Sequence, residues 1–412
     1  MPQIKPFRGY RYSPARVPDM AEVLAPPYDV ISPKQQEALY NKSPYNFVRV
    51  DFKKKEGGED AYEAARRELD GWIAKGVMAR EGKEALYVYV QTYKNLLGKK
   101  AKRIGFISLM KLDPRKVKRH EHTLSGPKVD RAKLLGTLGA NLSPIFGFFE
   151  DKNRKVHSLL LAAARGKPAV DVTIDGVRNE LYVEGDAKRI TQIQKLLAPK
   201  SMYIADGHHR FEVSLKHAEE ERRRKSPNAE SAQYVMTYLC ATGHNDLTIY
   251  PTHRALHIEN GSLRGLEGII GRSFTVREKA SLDSLLKDLE DPKKGKVKLG
   301  IAARAGAKKR FLVLEPKAAK GELDVILADR KLIRPLLEGE EVAQSDRVRY
   351  SRDAGDIRKW LDSGEAQVGI FLSHLPVSEV IRVSDKGIFL PQKSTYFYPK
   401  LLSGLVFYKF VC

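Results

Sequence analysis

Apolar positions recur every three or four residues from Asp60 to Lys75. Tyr62, Ala65, Leu69 and Trp72 or Ile73 then share one face, and the spacing predicts a helix. Ser32-Pro33 predicts another helix start, with Ser as the cap and Pro at the first helical position. Ala85 to Thr92 and Lys102 to Leu112 alternate as strands, and the polar turn Leu97-Gly98-Lys99-Lys100 joins them as a hairpin. Lys128 to Leu138 reads as a helix and Ser143 to Phe149 as a buried strand. Residues Asp151 to Lys200 read as a helix, a short hairpin and a second helix. A short apolar strand, Met202 to Ala205, precedes a helix from Arg210 to Lys225. Two strands follow, Gln233 to Ala241 and Leu247 to His257, with the loop Thr242-Gly243-His244-Asn245-Asp246 between them.

From about Glu259 the texture changes to charged helices and plain strands, such as Lys296 to Ala303 and Arg310 to Glu315. The end is strand-like and aromatic again, at Gly369 to Leu372 and Lys386 to Lys400. The expected class is α+β, with a mixed core and an additional α+β C-terminal region. Three parts are expected: 1–258 with the candidate chemistry, 259–345 as an accessory domain, and 346–412 packing back on the core.

Composition narrows the function classes. The apolar share of 42% suits an ordinary globular chain. No apolar run approaches the roughly 20 residues that span a bilayer. The opening Met1-Pro2-Gln3-Ile4-Lys5-Pro6 lacks the apolar core of a signal peptide, so a cytoplasmic protein is expected. Two cysteines, Cys240 and Cys412, exclude a disulfide framework, and the absence of CxxC excludes a thiolate zinc site. Cys240 lies in an apolar run and reads as a core residue. The net charge of +22 favours anionic partners such as nucleotides, phosphorylated metabolites or nucleic acid. The basic residues are scattered, though, and runs such as Lys53-Lys54-Lys55, Arg222-Arg223-Arg224-Lys225 and Lys293-Lys294 also suit a solvated surface.

The candidate chemistry centres on Asp206-Gly207-His208-His209-Arg210. A strand ends at Asp206, Gly207 permits a sharp turn, and a helix begins with Phe211, Leu215 and Ala218 on its apolar face. The first amides of a helix lack internal partners and carry partial positive charge, so an anionic oxygen is stabilised there. Arg210 can fork onto a phosphate, with His208 and His209 adding donors. Asp206 reads either as a magnesium ligand or as a helix cap. Adjacent histidines on a helix start point apart and no third ligand is fixed by spacing, so zinc is not expected. No Walker-type loop, nucleophile elbow or His-Glu-x-x-His is present.

The segment Tyr203-Ile204-Ala205-Asp206-Gly207-His208-His209-Arg210-Phe211-Glu212 closely resembles the family known as domain of unknown function 1015. So do Ala25-Pro26-Pro27-Tyr28-Asp29-Val30-Ile31, His120-Glu121-His122-Thr123 with Lys128, Asp130 and Arg131, and Asn141-Leu142-Ser143-Pro144-Ile145-Phe146. Pro251-Thr252-His253-Arg254 and Lys393-Ser394-Thr395-Tyr396-Phe397-Tyr398-Pro399-Lys400 complete the set, in family order. The family is similar to the ParB/sulfiredoxin superfamily, which includes CTP-hydrolysing partition proteins, sulfiredoxin and free-serine kinases. The resemblance implies a ParB/sulfiredoxin-like core and a nucleotide phosphate at Gly207, His208, His209 and Arg210. A histidine stands where sulfiredoxin carries its cysteine, which sets sulfiredoxin chemistry aside.

Further candidates surround this turn. His120 and Glu121 suit acid–base work, while Lys128 and Arg131 suit phosphate oxygens. Each also has a local reading, as a cap, an ion pair or solvated surface. Asp29 reads as a base, a magnesium ligand or a turn residue. His253 and Arg254 extend the anion site, and His209 is a further acid–base candidate. The first expected function is a small-molecule kinase using ATP or ADP with Mg2+, acting on free serine or a similar hydroxyl compound. The second is a nucleotide-gated, ParB-like DNA regulator, although no basic recognition helix is visible. The third is an interaction protein with a vestigial pocket.

Overall fold

The computed structural model describes all residues except 55–57, 96–97, 124, 244–246, 259–262, 291–296, 306–307, 319–320, 339, 343–344 and 411–412. Lys55, Leu97, His244-Asn245-Asp246, Glu259, Lys293-Lys294, Lys296 and Cys412 therefore lie outside the described residues. The chain is α+β and divides into two compact units. One holds residues 1–119, 123–248 and 399–412, and the other holds 120–122 and 249–398.

The first unit is built on a mixed sheet with nine described strands. From one edge they run Val117–Lys118, Met202–Asp206, Ile145–Glu150, Tyr234–Thr242, Lys100–Lys111, Leu86–Lys94, Val177–Glu184 and Val170–Ile174, with Ile4–Lys5 also pairing Lys100–Lys111. Two pairings are parallel: Val117–Lys118 with Met202–Asp206, and Ile145–Glu150 with Tyr234–Thr242. The expected hairpin is present, with Tyr87 opposite Ile107 and Lys94 opposite Lys100.

Alternation along these strands sorts the two faces. Leu86, Val88, Val90, Ile104 and Phe106 join one core with Val156, Leu160, Ile190, Ile193 and Phe211 from the helices. Tyr87, Tyr89, Gln91 and Arg103 occupy the intervening positions and are also buried. There several of the polar groups are matched. Gln91 Nε2 donates to the carbonyl of Lys400 (3.0 Å) and Tyr89 Oη to Asn179 Oδ1 (2.7 Å), and Arg103 donates to the carbonyl of Pro399 (2.5 Å). Cys240 is fully buried, and burial pushes its thiol up to about 12, as expected of a core residue.

The caps follow the sequence. Ser32 Oγ accepts from Gln35 N ahead of the helix Pro33–Lys42, and Asp60 accepts from Tyr62 N and Glu63 N ahead of Ala61–Ala74. Ala65, Leu69 and Trp72 are the buried residues of the second helix.

The second unit carries an antiparallel sheet with six described strands. Their order is Phe274–Lys279, Lys308–Pro316, Leu299–Ala305, Val368–Phe371, His253–Leu256 and Val348–Ser351. Helices Leu282–Glu290 and Ala354–Ser363 supply Leu285, Leu289, Ile357 and Leu361 to its core.

Several element boundaries differ from expectation. The strand foreseen from Leu247 to His257 is two strands, Thr248–Tyr250 and His253–Leu256, split at Pro251, which has no amide to donate. Lys386 to Lys400 forms a strand only at Tyr396–Tyr398, because Pro391 and the left-handed Lys393 (φ 55°) turn the chain. The helix after Gly207 starts at His208, two residues before the expected Arg210. Among the described residues no helix is long and apolar enough to cross a membrane.

Candidate functional site

The strand Met202–Asp206 delivers Asp206 to the start of the helix His208–Arg223. Gly207 makes the junction with φ 93°, in the left-handed region. A Cβ on Gly207 would lie 3.1 Å from Nε and Nη2 of Arg210. Glycine thus serves twice: it permits the turn and leaves room for the guanidinium folded back across it. The first helical bond runs from Phe211 N to the Gly207 carbonyl (3.0 Å), so the amides of residues 208–210 precede the regular ladder. Phe211 and Ala218 are buried and Leu215 packs against the same core, which anchors the helix along the expected face.

Two cations converge on Asp206. Arg210 Nη2 donates to Oδ2 (2.7 Å), and the Lys400 ammonium pairs with Oδ1. Arg210 Nη1 also donates to the carbonyl of Pro144 (2.6 Å). Burial works against the Asp206 charge, but Lys400 and Arg210 outweigh it and hold the carboxyl far below its usual range.

Tyr28 sits beside this group, on the short 3-10 turn Tyr28–Val30 that follows Pro26-Pro27. The Arg131 guanidinium lies 3.9 Å from the centre of its ring, and the Phe52 ring lies 6.4 Å away. Burial pushes the Tyr28 hydroxyl up to about 12, with Arg131 and Arg210 pulling the other way and Asp29 and Asp206 adding to the rise. The blocks around residues 28, 131, 206 and 400 are therefore gathered in one place. Asp29 is exposed on the same turn.

Arg131 is buried and held by carboxylates. It donates to Asp51 Oδ1 (3.1 Å), the Asp51 carbonyl (3.0 Å) and Asp130 Oδ2 (2.7 Å). Burial opposes its charge, and Asp51, Asp130 and Tyr28 raise it above its ordinary value. Asp51 also accepts from Ser143 Oγ (2.8 Å) and Ser403 Oγ (3.0 Å). A cavity of about 50 Å³ is lined by Asp51, Arg131, Ser143, Arg210 and Ser214, room for a few water molecules.

Lys128 Nζ reaches Glu212 Oε2 (3.2 Å), which Thr123 Oγ1 (2.7 Å) and Arg119 Nη1 (2.6 Å, to Oε1) share. Burial disfavours the Glu212 charge, and Thr123, Lys128 and Arg119 prevail and lower its pKa. His208 is buried and His209 half-buried on the first turn of the helix.

The remaining candidates belong to the second unit. His120 is buried, its Nε2 is 3.1 Å from Thr395 Oγ1, and burial drops its pKa to about 4. Glu121 Oε1 accepts from Lys393 N (2.6 Å). His253 Nδ1 accepts from Leu372 N (3.2 Å), which leaves the proton on Nε2, and burial beside Arg254 drops its pKa to about 4. Arg254 is fully buried, donates to the Thr252 carbonyl and to the Lys393 carbonyl (3.4 Å), and lies over the Tyr350 ring. Burial lowers its pKa, with Tyr350, Asp324, Asp329 and Glu121 opposing that fall.

Sequence reasoning gave no role to Lys400, Tyr28, Asp51 or Glu212. Lys400 and Tyr28 stand in blocks that the sequence had singled out, whereas nothing local marks Asp51. Magnesium does not fit Asp206 as it stands, because both carboxylate oxygens are taken by cations. Among the described residues no group of three His, Cys, Asp or Glu could hold a metal ion.

No curated protein matches the chain. Solved structures give distant likenesses. Free serine kinase in complex with AMP matches at 14% identity and a TM-score of 0.39, over 70% of this chain and 86% of the kinase. A conserved hypothetical protein from Pyrococcus furiosus matches at 14% identity and 0.38, over 71% and 93%. C-terminally truncated SbnI from Staphylococcus aureus matches at 12% identity and 0.32, over 72% and 85%. The model of a protein family of unknown function, DUF1015, matches residues 4–327, and this chain belongs to that family.

Proposed function

We propose that the first unit is a ParB/sulfiredoxin-like module that binds a nucleotide phosphate at the start of the helix His208–Arg223 and serves a phosphotransferase. The carrying observation is the convergence of Lys400 and Arg210 on Asp206 beside the left-handed Gly207. Two cations against one carboxylate leave surplus positive charge next to the first-turn amides, which is the field a phosphoryl group requires. In phosphoryl transfer, positioning and charge neutralisation supply most of the rate enhancement. Here Lys400 and Arg210, both held on Asp206, contribute through the field they set up at the turn.

ATP or ADP is the proposed donor, and free serine or a similar small hydroxyl compound the acceptor. Asp29 is assigned as the base, since its exposed carboxylate shares a turn with Tyr28. His208 and His209 supply donors to the phosphate.

The test is calorimetry with ATP and ADP, with and without Mg2+, on the wild type, Arg210→Ala and Lys400→Ala, followed by labelled-phosphate transfer to hydroxylated metabolites. Binding that weakens at least tenfold in both variants supports the site. Absence of wild-type binding at millimolar nucleotide rejects it. Tight binding without transfer to any acceptor rejects the kinase activity and leaves the binding site. DNA affinity that changes with bound nucleotide and falls steeply with salt would instead favour the regulator that the +22 charge permits.

A further inference from the structure

The Tyr28 ring is fixed from several sides. Pro27 (φ −63°) sets the entry to its 3-10 turn, the Arg131 guanidinium lies 3.9 Å from its centre, and Phe52 packs nearby. Arg131 is itself pinned by Asp51 and Asp130, so it forms a rigid backing. Yet among the described residues the Tyr28 hydroxyl makes no hydrogen bond. The two guanidiniums near it are committed, Arg210 to Asp206 and Pro144 and Arg131 to its two carboxylates, while Asp29 is exposed on the same turn.

Tyr28 is half-buried and its hydroxyl is not sealed inside the protein, so a ring positioned by Arg131 and Phe52 beside Arg210 presents a donor to an oxygen arriving from outside. We infer that the Tyr28 hydroxyl is a ligand-contacting donor, which gives its hydrogen bond to a non-bridging oxygen of the phosphate bound at the Gly207 turn. This rests on the phosphate-binding reading of that turn and adds a specificity-determining residue to it. The raised pKa is consistent with the role, because the group keeps its proton at neutral pH and donates rather than acting as a base. The preferred ligand is a terminal phosphate oxygen carrying full negative charge, since a charge-assisted bond is the stronger kind.

Tyr28→Phe removes the hydroxyl and keeps the ring between Arg131 and Phe52. The probes are ATP, ADP and inorganic pyrophosphate, titrated calorimetrically into wild type and Tyr28→Phe, with the melting temperature of each unliganded protein read in parallel. The expected result is affinity reduced about tenfold for all three probes, with an unchanged melting temperature. Affinity within about twofold of wild type overturns the assignment of Tyr28 while leaving the site intact. A melting temperature several degrees lower assigns the hydroxyl to a bond inside the protein and overturns it too. Wild type that binds none of the probes overturns both the site and this donor.

Discussion

The ammonium of Lys400 rests on Oδ1 of Asp206, although 194 residues separate the two in the chain. The segment bearing Lys400 is held by its backbone, since Gln91 and Arg103 grip the carbonyls of Lys400 and Pro399 from the sheet. Removing that ammonium leaves a poorly solvated carboxylate with one partner. Lys400→Ala should cost about 3 kcal/mol of stability at neutral pH, read from urea unfolding. The sign of its pH dependence is fixed. A carboxyl with a depressed folded pKa stabilises above its ordinary 3.8 and loses that contribution as pH falls below it. Lys400→Ala should therefore flatten the acid limb of the stability curve below about pH 4. An unchanged limb would separate Asp206 from Lys400.

Gly207→Ala should be destabilising by about 1–2 kcal/mol, from the left-handed backbone alone. The new Cβ also meets the Arg210 guanidinium at 3.1 Å, so affinity at the proposed nucleotide site should fall with stability. A variant as stable as wild type would mean that the turn at residue 207 adopts another conformation.

His120 and His253 both have folded pKa values near 4, against an ordinary 6.5. The unfolded chain takes up protons first, so stability is full above pH 6.5 and drops as pH falls from 6.5 toward 4. Below pH 4 their contribution is constant. Each accounts for up to about 3 kcal/mol across that window. His120→Gln should remove its share of the slope, measured as the urea midpoint at half-unit pH steps. A slope unaltered by the substitution would mean that His120 titrates normally.

Cys240 should resist alkylation. Its thiol is buried and pushed up to about 12, so almost no thiolate exists at pH 8. Peptide mass spectrometry after iodoacetamide treatment should find it unmodified in the native protein and modified in about 6 M guanidinium, where the chain unfolds. Native labelling at a rate near that of free cysteine would contradict the burial.

Much of the fold was legible. Ser32 and Asp60 cap helices that the local pattern announced, and the alternation at Leu86–Lys94 and Lys100–Lys111 foretold a hairpin. Where local pattern misled, long-range packing or a single residue prevailed. Pro251 divided one apolar run into two strands, and the turn at Lys393 left only Tyr396–Tyr398 extended. The Gly207 junction was legible because glycine, a strand end and a helix face leave a local signature. Asp51 left none, because an aspartate in the four-residue helix Val48–Asp51 looks like any surface acid until Arg131, Ser143 and Ser403 close on it.

The sequence by itself determined the α+β class, the Ser32 cap, the glycine turn and the blocks that mark the family. Periodicity, capping and left-handed backbone are properties of neighbouring residues, so local order suffices to specify them. Tertiary structure alone decided that Lys400 meets Asp206, that Arg131 backs Tyr28, and which basic side chains are already neutralised. Those pairings depend on which strands adjoin in the sheet, and charge acts through space with no regard for separation along the chain.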